Sequence, residues 1–137
     1  MKKLIIISVV LLFAACQQKE TKVTQTIIDP NNASEMALLM RNMFSQLEIV
    51  KGKILLGDDI SKEQFDIELI HKQTPTDESF LKEGLESMSN AYAYSVKTFN
   101  EEPSAKHFSS IVSNCTSCHT MLCPGPLERI DNLILEK

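Results

Sequence analysis

The sequence predicts an all-α domain, an antiparallel four-helix bundle with a Cys-x-x-Cys-His motif in its last long helix and a short extra helix at the C-terminus. Three observations lead there. Apolar residues recur at spacings of three and four in four successive segments, and those segments are joined by connections of only a few residues, as antiparallel neighbours require. The composition also favours helices over strands: there are only 4 Gly and no Trp, aromatic residues make up 6%, and Met, Leu, Ile, Lys and Glu are plentiful.

The first segment stands apart from the bundle. Lys2 and Lys3 precede an apolar run from Leu4 to Leu12, broken only by Ser8, and Phe13-Ala14-Ala15-Cys16 follows. The run is too short to span a bilayer as a permanent helix, and the small pair suits a processing enzyme, so residues 1–15 read as an export signal. The segment resembles a lipoprotein signal in which Cys16 becomes the lipidated first residue. Phe13 departs from the Leu usual three positions earlier, which leaves simple cleavage or a retained anchor as alternatives. Residues 16–31, rich in Thr, Gln and Lys and without helical periodicity, read as a flexible tether to a bundle domain spanning 32–137.

Within that domain, Pro30 and Asn31-Asn32 mark a turn, and Asn32 with Glu35 three residues on reads as a helix start. Met36, Met40, Met43, Leu47, Val50 and Ile54 then carry helix A to about Gly57. Ser61 and Gln64 give a second capping signal, and Ile60, Phe65, Ile67, Leu69 and Ile70 predict a shorter helix B up to about Gln73, closed by Thr74-Pro75. Helix C starts at Thr76 or Asp77 and runs through Leu81, Leu85, Met88, Tyr92, Val96 and Phe99; Gly84 would weaken it by up to about 1 kcal/mol or admit a close neighbour. Pro103 suits the first turn of helix D, with Ala105, Phe108, Val112, Cys115, His119 and Leu122 facing inward. Pro124-Gly125-Pro126 stops it, and Leu127, Ile130 and Ile134 form the stripe of the terminal helix.

Charge and cysteines narrow the function classes. The formal net charge is −4, and removal of Lys2 and Lys3 with the signal takes it to −6, so no basic patch for nucleic acid is visible. Four cysteines in an exported chain would ordinarily suggest two disulfides. Here Cys16 lies at the signal boundary, Cys115 and Cys118 are followed directly by His119, and only Cys123 is left over, as a free thiol or, less simply, an intermolecular partner.

Cys115-Thr116-Ser117-Cys118-His119 is the attachment signature of haem c. Two thiols add to the vinyl groups, and the adjacent imidazole reaches the iron. On a helix these residues stand at i, i+3 and i+4, so all three meet one haem edge and its metal together. Phe108 and Val112 extend the stripe as an apolar bed for the ring. Two other uses of the same residues compete. A tetrahedral zinc on Cys115, Cys118, His119 and Cys123 is awkward because adjacent side chains would serve one small ion. A redox dithiol would need a βαβ setting that the helical pattern lacks.

A four-helix bundle with this motif in its last helix resembles the cytochrome c prime family and its six-coordinate relatives of the c-556 type. The resemblance covers the chain from Asn32 to Cys123, and Ile49-Val50-Lys51-Gly52 is similar to the hydrophobic pair followed by Lys-Gly near the end of the family's first helix. In that register Met36 falls at the family's distal haem position, with Met40 and Met43 as substitutes one and two turns along. The resemblance implies one covalent haem c, with His119 as proximal ligand and Met36 as distal ligand. Taken alone, the methionine stripe reads as core packing. Where the family carries an Arg four residues after the haem histidine, this chain has Cys123, and the segment from Leu127 onward has no counterpart in short members. His71 and His107 lie in polar stretches and read as surface or boundary residues.

Function follows as an expectation. A His/Met haem implies one-electron transfer by a non-enzymatic, lipid-anchored protein facing the periplasm. The acidic balance would steer a redox partner with a basic docking surface, and a homodimer is left open. The alternative is a five-coordinate haem that binds nitric oxide or carbon monoxide as a sensor or scavenger. No Ser/His/Asp set or carboxylate pair argues for substrate-processing chemistry.

Overall fold

The computed structural model divides the chain into two units, Met1–Pro30 and Asn31–Lys137, and describes residues 32–135. The signal, Cys16 and the tether lie outside the described residues. The described part is all-α: α1 (Glu35–Leu56), α2 (Leu85–Glu101), α3 (Ala105–Leu122) and α4 (Leu127–Asp131), with 3-10 turns at Ile70–Lys72 and Glu78–Phe80 and no strand among the described residues.

α1 starts two residues later than the Asn32–Glu35 pair suggests, with Ser34 as its cap. The Ser34 hydroxyl accepts from Ala37 N at 3.2 Å, satisfying one orphan donor of the first turn. Glu35 is drawn instead to Thr74, whose N–H and hydroxyl donate to its carboxylate at 3.1 and 2.6 Å. Another first-turn donor, Met36 N, bonds to Thr74 O at 3.0 Å. At the other end Gly57 takes φ 74 and returns its N–H to the helix, a left-handed cap that glycine accepts without steric cost.

The second helix that the sequence predicts does not form. Residues 61–69 contain no α-helix, and Asn100, at the end of α2, supplies the physical reason. Its side chain accepts from Phe65 N at 2.9 Å and donates to Phe65 O at 2.8 Å, occupying both backbone groups that a helix would need there. The Phe65 ring is buried and lies 4.8 Å, centroid to centroid, from Phe99, an arrangement within the range of favourable aromatic pairs. The apolar spacing of Ile60, Phe65 and Ile70 thus serves a segment laid along the core, and only Ile70–Lys72 turns, as a 3-10 helix.

Helix C is likewise shorter than predicted. Asp77 does cap a turn, accepting from Ser79 N at 2.8 Å, but the turn is a single 3-10 element. Gly84 sits at φ 89 as the N-cap of α2, and a helix cannot run through that conformation. Leu81 is therefore exposed, while Leu85, Tyr92, Val96 and Phe99 are buried as expected, joined by Ser89 and Ser95. α3 begins after the Ser104 cap, which accepts from His107 N at 3.3 Å, and so places Pro103 just outside the helix.

α2 and α3 pack as a hairpin around Val96, Phe99, Phe108 and Ile111, all fully buried. α1 contributes Leu39, Met43, Leu47 and Val50 to the same core. The terminal segment docks through Ile130 and Leu133 rather than Ile130 and Ile134, and Ile134 is exposed. Lys51 of α1 holds it by donating to the carbonyls of Asn132 and Ile134 at 2.6 and 2.9 Å. None of the helices described is long and apolar enough to cross a membrane.

Candidate functional site

Cys115, Cys118 and His119, presented by α3, line one cavity of about 750 Å³, within the range of roughly 300–1,000 Å³ typical of small-molecule and cofactor sites. The i, i+3, i+4 spacing therefore does bring the three side chains to a common space. α1 contributes Met36, Met40 and Met43 to the lining, together with Phe44 and Leu47, so every methionine proposed as a distal ligand shares the cavity with His119. Met43 is buried, whereas Met36 and Met40 are half-buried against the core.

His119 is 8% exposed, and its imidazole has its tautomer set by the end of its own helix. Its Nδ1 lies 3.0 Å from the carbonyl of Cys123. A carbonyl only accepts, so Nδ1 carries the proton and Nε2 keeps the lone pair that a metal takes. The Cys123 Sγ lies 3.3 Å from the same Nδ1, a second, weaker acceptor for that proton. This is the arrangement in which outer partners orient a ligating histidine.

Burial holds all three thiols in the neutral form. Cys115 is pushed up to about 12, first by burial and then by the neighbouring Cys118. Burial also raises Cys118, with a contribution from Cys123, and raises Cys123 against the opposing pull of Lys82. Reactive dithiols have depressed values, so these raised ones argue against a thioredoxin-like role. Among the described residues no three His, Cys, Asp or Glu groups are grouped to hold a metal ion.

The rest of the lining has a consistent charge. Arg41, Lys82 and Arg129 contribute cations and no carboxylate lines the cavity among the described residues, which suits an apolar ligand with an anionic edge. Lys82 Nζ donates to Leu122 O at 2.5 Å. The Arg129 guanidinium sits 4.4 Å from the centre of the Phe44 ring, a cation–π contact worth roughly 0.5–1 kcal/mol where exposed.

Several residues depart from their expected places. Phe108 and Val112, predicted as the haem bed, do not line this cavity: Phe108 is fully buried in the helix core, and Val112 faces a second, smaller cavity beside Leu133 and Leu135. Val112 lies one turn and Phe108 two turns before Cys115, which carries both beyond the cavity. His71 and His107 stay out of it too. His107 Nδ1 donates to Glu102 O at 2.7 Å, capping the end of α2. His71 is a boundary residue, its side chain 9% exposed and its Nε2 3.7 Å from Glu86.

Sequence reasoning missed Phe80, Lys82, Arg129, Ile130 and Leu133 as cavity residues. Periodicity ranks residues by helix face, and these come from a 3-10 turn, a loop and the terminal segment; only the Leu127–Ile130 stripe hinted that the tail covers something. Compared with known proteins, the chain matches no family model, no curated protein and no solved structure.

Proposed function

We propose that the chain is a membrane-tethered c-type cytochrome with one haem c joined to Cys115 and Cys118, ligated by His119 and by a methionine of α1, and working in one-electron transfer rather than as an enzyme. The observation that carries this reading is the convergence of Cys115, Cys118, His119 and three α1 methionines on one apolar cavity with a cationic, carboxylate-free lining. When bound, haem c supplies a one-electron iron couple.

The chain's own residues do the remaining work. The two neutral thiols of α3 provide the attachment points at a spacing fixed by the helix. His119 presents Nε2 because its Nδ1 proton is committed to Cys123 O. Met36 is the leading distal ligand, in the register that Ile49-Val50-Lys51-Gly52 sets, and it shares the cavity with His119. Met40 and Met43 are the substitutes. The thioether is the ligand type that raises a haem potential. Arg41, Lys82 and Arg129 are suited to the anionic propionate edge, and the apolar walls exclude water.

The bundle that such a centre occupies in the cytochrome c prime and c-556 type would here be built from α1, α2 and α3, with residues 61–69 in place of a second helix. Export by the segment 1–15 and lipidation at Cys16 would tether the protein to a membrane on the periplasmic side. The net −6 of the processed chain would favour a redox partner with a basic docking surface. One experiment separates electron transfer from gas binding: optical spectra of the ferric and ferrous protein with and without carbon monoxide. Low-spin spectra unmoved by the gas support the His/Met reading, and a high-spin ferrous form that binds it hands the function to the five-coordinate alternative.

A further inference from the structure

The end of α3 is built differently from an ordinary helix stop. Residue 123 meets His119 three times: Cys123 N donates to His119 O at 3.2 Å, Cys123 O accepts from His119 Nδ1 at 3.0 Å, and Cys123 Sγ lies 3.3 Å from that Nδ1. Pro124 explains the second contact. A residue before proline is driven out of the helical region, and Cys123 accordingly takes φ −155, ψ 84. That turn points its carbonyl back at the imidazole instead of along the helix axis. Lys82 reinforces the same corner by donating to Leu122 O.

We propose that Cys123, set by Pro124, is the positioning residue of this haem centre, its carbonyl and thiol sharing the Nδ1 proton of His119 so that Nε2 is held toward the cavity and made more electron-donating. The inference rests on the cytochrome reading for its effect on iron, but the hydrogen bonds themselves do not depend on haem. Acceptors on Nδ1 increase the basicity of a ligating imidazole and favour the more highly charged iron. Removing one of them shifts the iron couple toward the reduced form.

Two measurements on the full chain test this. The midpoint potential of the haem-loaded protein should rise in Cys123→Ala by about threefold in the Fe(III)/Fe(II) equilibrium, or ~28 mV at 59 mV per tenfold. It should rise further in Pro124→Ala, where the carbonyl is free to return to the helix, and should stay near wild type in Cys123→Ser, which keeps an acceptor on the same carbon. A residue that merely packed the helix end would change the melting temperature and leave the potential alone. Nitrogen-15 spectra of the histidine rings in the chain expressed without haem should show His119 as the Nδ1–H tautomer, and a mixture in Pro124→Ala. An unchanged midpoint in Cys123→Ala or in Pro124→Ala overturns the proposal, as does an Nε2–H tautomer in the wild type. A chain that never acquires haem refutes the cytochrome reading instead, and the ring spectra still decide the positioning.

Discussion

Replacing Asn100 with alanine should cost about 2 kcal/mol of folding stability, although residue 100 touches neither the cavity nor the motif. The change deletes two hydrogen bonds, from Phe65 N at 2.9 Å and to Phe65 O at 2.8 Å. Phe65 is 5% exposed, so neither backbone group regains water easily. A buried polar group left without its partner costs roughly 1–3 kcal/mol. Both bonds are only partly buried, which puts each near the low end and the pair at about 2 kcal/mol. The bond from Gln64 Nε2 goes to the Asn100 carbonyl and survives. For a domain of this size the loss corresponds to a fall in Tm of roughly 8–16 °C, readable by thermal and urea unfolding. A loss below about 0.5 kcal/mol would refute the reasoning. So would a gain in helical circular dichroism at unchanged stability, because residues 61–69 would then be shown to prefer the helix their periodicity suggests.

Three further outcomes are expected. Met36→Leu should turn a low-spin, carbon-monoxide-resistant haem into a high-spin one that binds the gas, while the same change at Met40 or Met43 should mainly loosen packing by less than about 1.5 kcal/mol, since Met and Leu nearly match in volume; optical spectra of the three variants decide. Glu35, held below the ordinary carboxylate range by the Thr74 hydroxyl and N–H, and Asp59 and Asp77, held down by Ser61 and Ser79, bind fewer protons folded than unfolded. Their stabilisation is present above the ordinary values of about 4 and fades as pH falls through the lowered ones, so urea midpoints should drop from pH 5 toward pH 3, and Glu35→Gln should flatten part of that slope. Changing Cys16 to Ala should release the protein from membranes or block its processing; a wild type that is freely soluble with its amino terminus elsewhere would contradict the lipid anchor.

How much of this was legible beforehand differs by element, for physical reasons. The long helices were readable because the spacing of Met36 to Ile54 and of Leu85 to Phe99 repeats over several turns, and the motif was readable because i, i+3, i+4 on α3 fixes a common face. Helix B is not legible, because apolar spacing in a short segment does not distinguish a helix from a chain laid along a core. What decided between them was Asn100, far along the sequence and polar, hence invisible to periodicity. The sequence marks Gly84 as a weak point, but its positive φ as a helix boundary depends on the loop before it. The cavity was half legible. Its α1 and α3 walls follow from the stripes, whereas Phe80, Arg129 and Leu133 reach it through tertiary contacts, and the inward stripe of α3 wrongly carried Phe108 and Val112 with it. The hydrogen bonds from His119 Nδ1 to Cys123 are hidden as well: proline announces a helix end, yet where the preceding carbonyl then points is a matter of ψ.

The central claim, covalent haem at Cys115 and Cys118, meets its most direct test in the intact mass of the protein after expression with a cytochrome c maturation system, followed by peptide mapping under denaturing conditions. The expected mass is that of the chain with one added haem, retained on the peptide that contains both cysteines and His119. A colourless protein of unmodified mass, with Cys115 and Cys118 both open to alkylation once unfolded, would contradict it.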